Sequence, residues 1–264
     1  MIFLGLLLKI SVPPVLVALM SLAARRWGAT FGGLIMGLPW MTGPLLFFLG
    51  VDKGTDFLVS AATGAVLAVW GMAGFIVCFG YAAGRTRWGS ALAAAVVGYV
   101  IIGSLTQGLL LPIWVDAAVA SLSLCAANIL LPKPRTEAGL GRLPSWDIPA
   151  RMIATFALVS LIIVSADLIG PQISGLIASY PVILTVIGTF TLRQWGRDAL
   201  LRLLHGISLS LLAFVGFFTV VGSASPVLGI SGSFVLATLV ALAISAVLLV
   251  ATGRPQQAMQ IASD

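Results

Sequence analysis

The residues of this chain that could do chemistry are few. Asp116 and the single histidine, His205, both fall inside apolar stretches. A carboxylate about seven residues into such a stretch, roughly 10 Å by helical rise, is costly to bury and so is a functional candidate. A histidine there can titrate near neutrality, although Arg202 one turn away also suits a packed or interfacial residue. These two are the candidates for coupling to a proton or another ion. Lys9 and Arg151 stand at matching places in the two halves and would face opposite surfaces. They are read either as two anion-attracting mouths or as side chains snorkelling to headgroups, and snorkelling is the expectation. Asp56 and Asp198 open apolar stretches, where a carboxylate favours a helix N-terminus. There is no HExxH, GxSxG, Walker or dinucleotide motif, and no pair of acids shares one apolar stretch. No catalytic residue and no enzyme are therefore expected. Cys78 and Cys125 lack CxxC or Cys/His spacing, so no metal, disulfide or cofactor is implied.

A second group of residues concerns the backbone. Gly37, Pro39, Trp40 and Thr42 lie in one glycine- and proline-rich apolar run, and Ser179, Tyr180, Pro181 and Thr185 lie in another. Proline removes a backbone donor and clashes with the carbonyl four residues back. In a bilayer the freed polar groups must find protein, water or substrate. Paired, interrupted spans at corresponding positions point to a transporter site, so these eight residues are the expected substrate-binding set. The same runs also contain Gly33-x3-Gly37 and Gly175-x3-Ser179, small-residue pairs that allow close helix packing without any ligand.

The two runs belong to a duplication. Gly28-x4-Gly33-Leu34-Ile35-x3-Pro39 recurs as Gly170-x4-Gly175-Leu176-Ile177-x3-Pro181. The register continues through Gly54-x-Asp56, Gly64, Gly74, Phe75 and Gly80, which meet Gly196-x-Asp198, Gly206, Gly216, Phe217 and Gly222. Only 8% of residues are charged, 60% are hydrophobic and mean hydropathy is +1.14. That composition excludes an ordinary soluble domain and predicts an all-α polytopic membrane protein. The net charge of +6 sits in short loops, which reads as a topology signal toward anionic lipid and not as nucleic-acid binding. Apolar runs predict nine spans, roughly 2–24, 29–50, 56–80, 88–105, 109–131, 149–168, 171–191, 198–221 and 228–252. The first run lacks a clear cleavage site and is expected to stay as a membrane helix.

Nine spans place Arg25, Arg26, Arg85, Arg87, Lys133, Arg135, Arg142, Arg151, Arg193, Arg197, Arg202 and Arg254 on one side, against Lys9 and Lys53 on the other. The positive-inside rule then puts the N-terminus outside and the C-terminus in the cytoplasm of a bacterial inner membrane. A four-span unit at 1–108, an inverting span and linker at 109–148 and a second unit at 149–264 make an inverted-topology repeat (4 + 1 + 4). Reversed charge bias agrees: Asp52, Lys53 and Asp56 align with a stretch holding Arg193, Arg197 and Arg202, while Arg85 and Arg87 align with an uncharged loop at Ser223–Pro226.

The second unit, Arg151 to Gly253, resembles the GlpM family of small bacterial inner-membrane proteins. The likeness rests on Arg151, Gly175-Leu176-Ile177-x3-Pro181 and Gly196-Arg197-Asp198-Ala199-Leu200. Lys9, Gly33-Leu34-Ile35-x3-Pro39 and Gly54-Thr55-Asp56 carry it into the first unit. The resemblance implies two such units fused in tandem and speaks to fold more than to activity. The expected function is a permease for a small solute, anionic if the two basic mouths attract it, working by alternating access between inverted repeats. The alternatives are an accessory subunit of an envelope-polysaccharide or lipid-handling complex that moves nothing itself, or a flippase for a lipid-linked substrate, with Trp40 and the glycine-rich faces forming a groove toward lipid. The expected partners are the lipid bilayer and a small-molecule solute, with a homo-oligomer or a membrane partner left open.

Overall fold

The computed structural model describes residues 2–27, 38–40, 42–106, 108–109, 111–135, 146–169 and 180–261. Every element among them is a helix: α1 (Ile2–Trp27), α2 (Thr42–Lys53), α3 (Thr55–Ala82), α4 (Trp88–Thr106), α5 (Ile113–Leu130), α6 (Asp147–Ile169) and α7 (Val182–Ile261). Four of them, α3, α4, α5 and α7, are long and apolar enough to cross a membrane. Ile129, Val227, Leu122 and Leu105 project from the surface at 69–84% exposure. An exterior of this kind suits lipid and not water.

The nine expected spans correspond to seven described helices, and the difference is largely in α7. This helix carries extended backbone with positive φ at Gly196 (φ 80°, ψ −173°) and Gly229 (φ 69°, ψ 177°). The chain turns back at both. Gly188 lies 3.5 Å from Leu200, by the position a Cβ would take, and Ser225 Oγ donates to Ser233 Oγ at 3.0 Å. Straight helix would hold those pairs about 18 and about 12 Å apart. Ser223–Pro226, expected to be a loop, is helical, and the turn comes at Gly229.

The segments 182–195, 197–228 and 230–261 repeat the local structure of α2, α3 and α4 at the spacing of the duplication. Gly54, the counterpart of Gly196, has φ 92° and ψ 175° and separates α2 from α3. This region of backbone is essentially closed to residues with a Cβ, which is why glycine stands at both turns. Helix crossings repeat as well. A Cβ on Gly74 would meet Ile102 and the Gly98 carbonyl, and one on Gly216 would meet Ile244 and Val240, the matching residues.

α3 is the centre of the bundle and packs on α2, α4, α5 and α7. It runs antiparallel to 197–228: Gly80 lies against Leu201 and Leu204, while Gly222 lies against Ala62. Gly80–Leu204 and Gly222–Ala62 join the same pair of aligned positions, exchanged between the two helices. The Gly54 turn is at the start of α3, whereas Arg197, beside Gly196, reaches Gly84 just past its end. The two matching turns therefore sit at opposite ends of a helix about 42 Å long. Basic residues collect at one of those ends. Arg193 lies over Trp88, and the Arg135 N–H donates to Asp198 Oδ2 at 3.1 Å.

Candidate functional site

Pro39 and Pro181 do not kink the middle of helices, as two unbroken spans at 29–50 and 171–191 would require. Each stands in non-helical backbone just before a helix starts, at Thr42 and at Val182. There the missing N–H costs nothing and the fixed φ leads into the helix. The two starts are built alike. Trp40 N–H donates to Leu38 O and Val182 N–H to Tyr180 O, both at 2.8 Å; Gly43 N–H donates to Pro39 O and Thr185 N–H to Pro181 O, both at 2.9 Å.

Both starts open on one central cavity of about 160 Å³. Its wall includes five pairs of matching residues: Leu38 and Tyr180, Pro39 and Pro181, Trp40 and Val182, Thr42 and Leu184, Met72 and Phe214. Pro13 and Met20 of α1 and Val159 of α6 complete it. Side-chain polarity comes from the hydroxyls of Thr42 and Tyr180 and the indole N–H of Trp40. Two helix N-termini, at Thr42 and Val182, add backbone N–H groups and the positive ends of two helix dipoles.

Of the eight expected binding residues, Pro39, Trp40, Thr42, Tyr180 and Pro181 line this cavity. Thr185 is buried, and its hydroxyl donates to Tyr180 Oη at 2.9 Å, so it positions the tyrosine from behind. Gly37 and Ser179 lie outside the described residues.

The two coupling candidates are not brought together. Asp116 sits in the first turn of α5, 1% exposed, and neither of its carboxylate oxygens completes a hydrogen bond. The indole N–H of Trp70, which faces it, is likewise unbonded. His205 lies beside the other end of α5, where Asn128 Nδ2 donates to the His205 carbonyl at 3.1 Å and to Ser208 Oγ at 2.6 Å. From Asp116 to Asn128 is about 18 Å of helix.

Arg151 departs most from expectation. It does not snorkel to the membrane surface: it is 1% exposed. Its Nε donates to Asp147 Oδ1 and Oδ2 at 3.1 and 3.0 Å, and its Nη2 donates to Gln194 Oε1 at 3.0 Å. Gln194 in turn donates to Asp147 Oδ1, and the guanidinium lies over Phe190 and Trp195. A charge this enclosed persists only when paired and hydrogen-bonded. With Asp147 beside it, Arg151 cannot serve as an open anion-attracting mouth. The four-residue spacing of Asp147 and Arg151 was the available signal, since residues so spaced share a helix face. Lys9, its counterpart, has no described side chain.

A second cavity, of about 470 Å³, adjoins the first and shares Leu38, Pro39 and Trp40 with it. Its remaining wall is Gly43, Pro44, Phe47, Phe48, Phe217, Phe234, Thr238, Ala241 and Leu242, almost wholly apolar. Trp40 and Gly43 lie where the sequence suggested a groove for a lipid-linked substrate; the phenylalanine wall went unnoticed because it has no charged or catalytic side chain to draw attention.

These features define a helical membrane protein in which two proline-led helix starts meet at one cavity. No protein-family model, curated protein or solved structure matches the chain.

Proposed function

We propose that the protein is an inverted-repeat membrane carrier for a small solute, moving it by rocking one half against the other around the central cavity. The observation that carries this reading is the set of five matching residue pairs around one cavity. Discontinuous helices whose N-termini converge at a pseudo-symmetric point are the arrangement secondary transporters use for substrate. In this reading the nine segments bounded by Gly54, Gly196, Gly229 and the two proline breaks form two four-segment units at 1–108 and 149–264. The inverting segment and linker at 109–148 lie between them. The antiparallel Gly80–Leu204 and Ala62–Gly222 contacts, and the placement of matching turns at opposite ends of α3, support inversion. The gathering of Arg193, Arg197 and Arg135 at one end supports a cytoplasmic assignment for that end in an inner membrane. The resemblance to two fused GlpM-like units fits this organisation.

With Arg151 neutralised, the case for an anionic solute rests on the two helix N-termini and on Thr42 and Tyr180. Asp116, buried beside Trp70 with no completed hydrogen bond, is the candidate for proton coupling. Uptake of radiolabelled small anions into proteoliposomes tests the reading. A saturable flux that falls in Thr42→Val and Pro181→Ala, with the fold retained, is expected; flux indifferent to both would exclude the central cavity as the path. The adjoining apolar cavity favours, as a second reading, a substrate that carries a lipid chain.

A further inference from the structure

We propose that the lateral cavity seats the hydrocarbon chain of an anionic membrane amphiphile whose head group enters the central cavity. The head-group half of this inference rests on the carrier reading above; the seat for the chain does not. Three observations lead to it.

The cavity is large and apolar. At about 470 Å³ it lies within the roughly 300–1,000 Å³ of ordinary ligand sites. Phe47, Phe217 and Phe234 line it, with Phe47 and Phe217 each edge-on to Phe234 at 5.1 and 5.6 Å. A wall of this composition offers nothing to a hydrated solute.

Its rim is exposed and apolar. Trp40 is 49%, Phe48 65% and Leu242 54% exposed, and all three line the cavity. A chain can enter sideways from the bilayer without crossing water. Leu38, Pro39 and Trp40 belong to both cavities, so a head group in one and a chain in the other would be joined across that three-residue break.

The matching place in the other half is filled. There Tyr180 stands where the first half has Leu38, and Tyr99 where the second has Ala241. The two tyrosine rings meet edge to face at 5.4 Å, and Tyr180 also meets Phe75 at 6.3 Å. The duplication thus has one half closed by aromatic rings and the other opened by a leucine and an alanine. Packing alone would not require that difference, because the helix crossings around it are the same in both halves.

The test is photolabelling of the full-length protein in nanodiscs with dodecyl phosphate carrying a diazirine near the chain end, with the labelled residues mapped by mass spectrometry. Label on Phe47, Phe48, Phe234, Thr238 or Leu242 is expected. The double variant Leu38→Tyr/Ala241→Tyr copies the closed half into the open one. It should label about tenfold less, as filling a well-defined cavity denies the chain its contacts. Ala241→Phe alone gives the same reading if the double variant does not fold. Label spread over other exposed positions such as Val97, Ile101 and Ile129, or undiminished in the filled variants, overturns the proposal. So does absence of label at the cavity, the result expected if a second copy of the chain covers this face. Strong cavity labelling alongside no anion flux in proteoliposomes would keep the chain seat and reject the carrier reading.

Discussion

The two proline breaks have nearly the same backbone and different surroundings. At 38–43 and at 180–185 the hydrogen bonds match to 0.1 Å, and each proline leads into a helix that opens on the same cavity. Around the second break the Tyr180 hydroxyl is held by Thr185 and its ring by Tyr99 and Phe75. Around the first, Leu38 and Ala241 border a space that reaches the exposed apolar residues Trp40, Phe48 and Leu242. The backbone of the two breaks is alike, and the side chains around them are not.

The largest test of unequal halves is the buried ion pair, which belongs to the second half. Arg151→Met would leave Asp147 enclosed without its partner and should cost about 3–5 kcal/mol, whereas Asp147→Leu/Arg151→Met should recover most of that loss. Thermal unfolding in detergent reads both. A near-neutral Arg151→Met would mean that the side chain reaches the headgroups after all.

Where the halves agree, paired substitutions should agree as well. Gly54→Ala and Gly196→Ala put a Cβ on backbone that tolerates almost only glycine, and each should cost about 1–3 kcal/mol. Neither meets a neighbour within 4 Å, so the cost is that of the backbone alone and should be similar at both. A large cost at one glycine and none at the other would break the correspondence. Gly74 and Gly216 sharpen it in the opposite sense. A Cβ on Gly74 would lie 2.9 Å from the Gly98 carbonyl oxygen, while one on Gly216 meets side-chain ends that can rotate aside. Gly74→Ala should therefore lose about 1–3 kcal/mol and Gly216→Ala clearly less, measured by the same unfolding assay. The smallest effect belongs to Tyr180→Phe, which removes the Thr185 hydrogen bond for about 1 kcal/mol and should weaken solute binding more than stability.

Much of this was legible in the sequence for definite reasons. Long apolar runs located α3, α4 and α5 to within a few residues, because membrane thickness sets helix length. The recurring glycines marked the turns at 54 and 196, and the paired prolines marked the breaks. The sequence could not say that each proline would begin a helix and not bend one, since proline suits both places. It pointed to five cavity-lining residues because the paired prolines mark the two breaks and Trp40, Thr42 and Tyr180 lie within three residues of them. A groove at Trp40 was suggested by the sequence, but not its extent: Leu38 and Ala241 lie 203 residues apart, and only the fold shows that they face one space. Arg151 was misjudged because a basic residue near the start of an apolar run is ordinarily at the surface, and its partner Gln194 lies 43 residues away.

Inversion of the halves is the claim on which the carrier reading depends, and it can be measured directly. In a Cys78→Ala/Cys125→Ala background, Asp52→Cys beside the Gly54 turn and Arg193→Cys beside the Gly196 turn both occupy exposed positions. A membrane-impermeant maleimide applied to intact cells should label the cysteine at 52 and reach the one at 193 only after the membrane is permeabilised. Labelling of both from the same side would contradict the account.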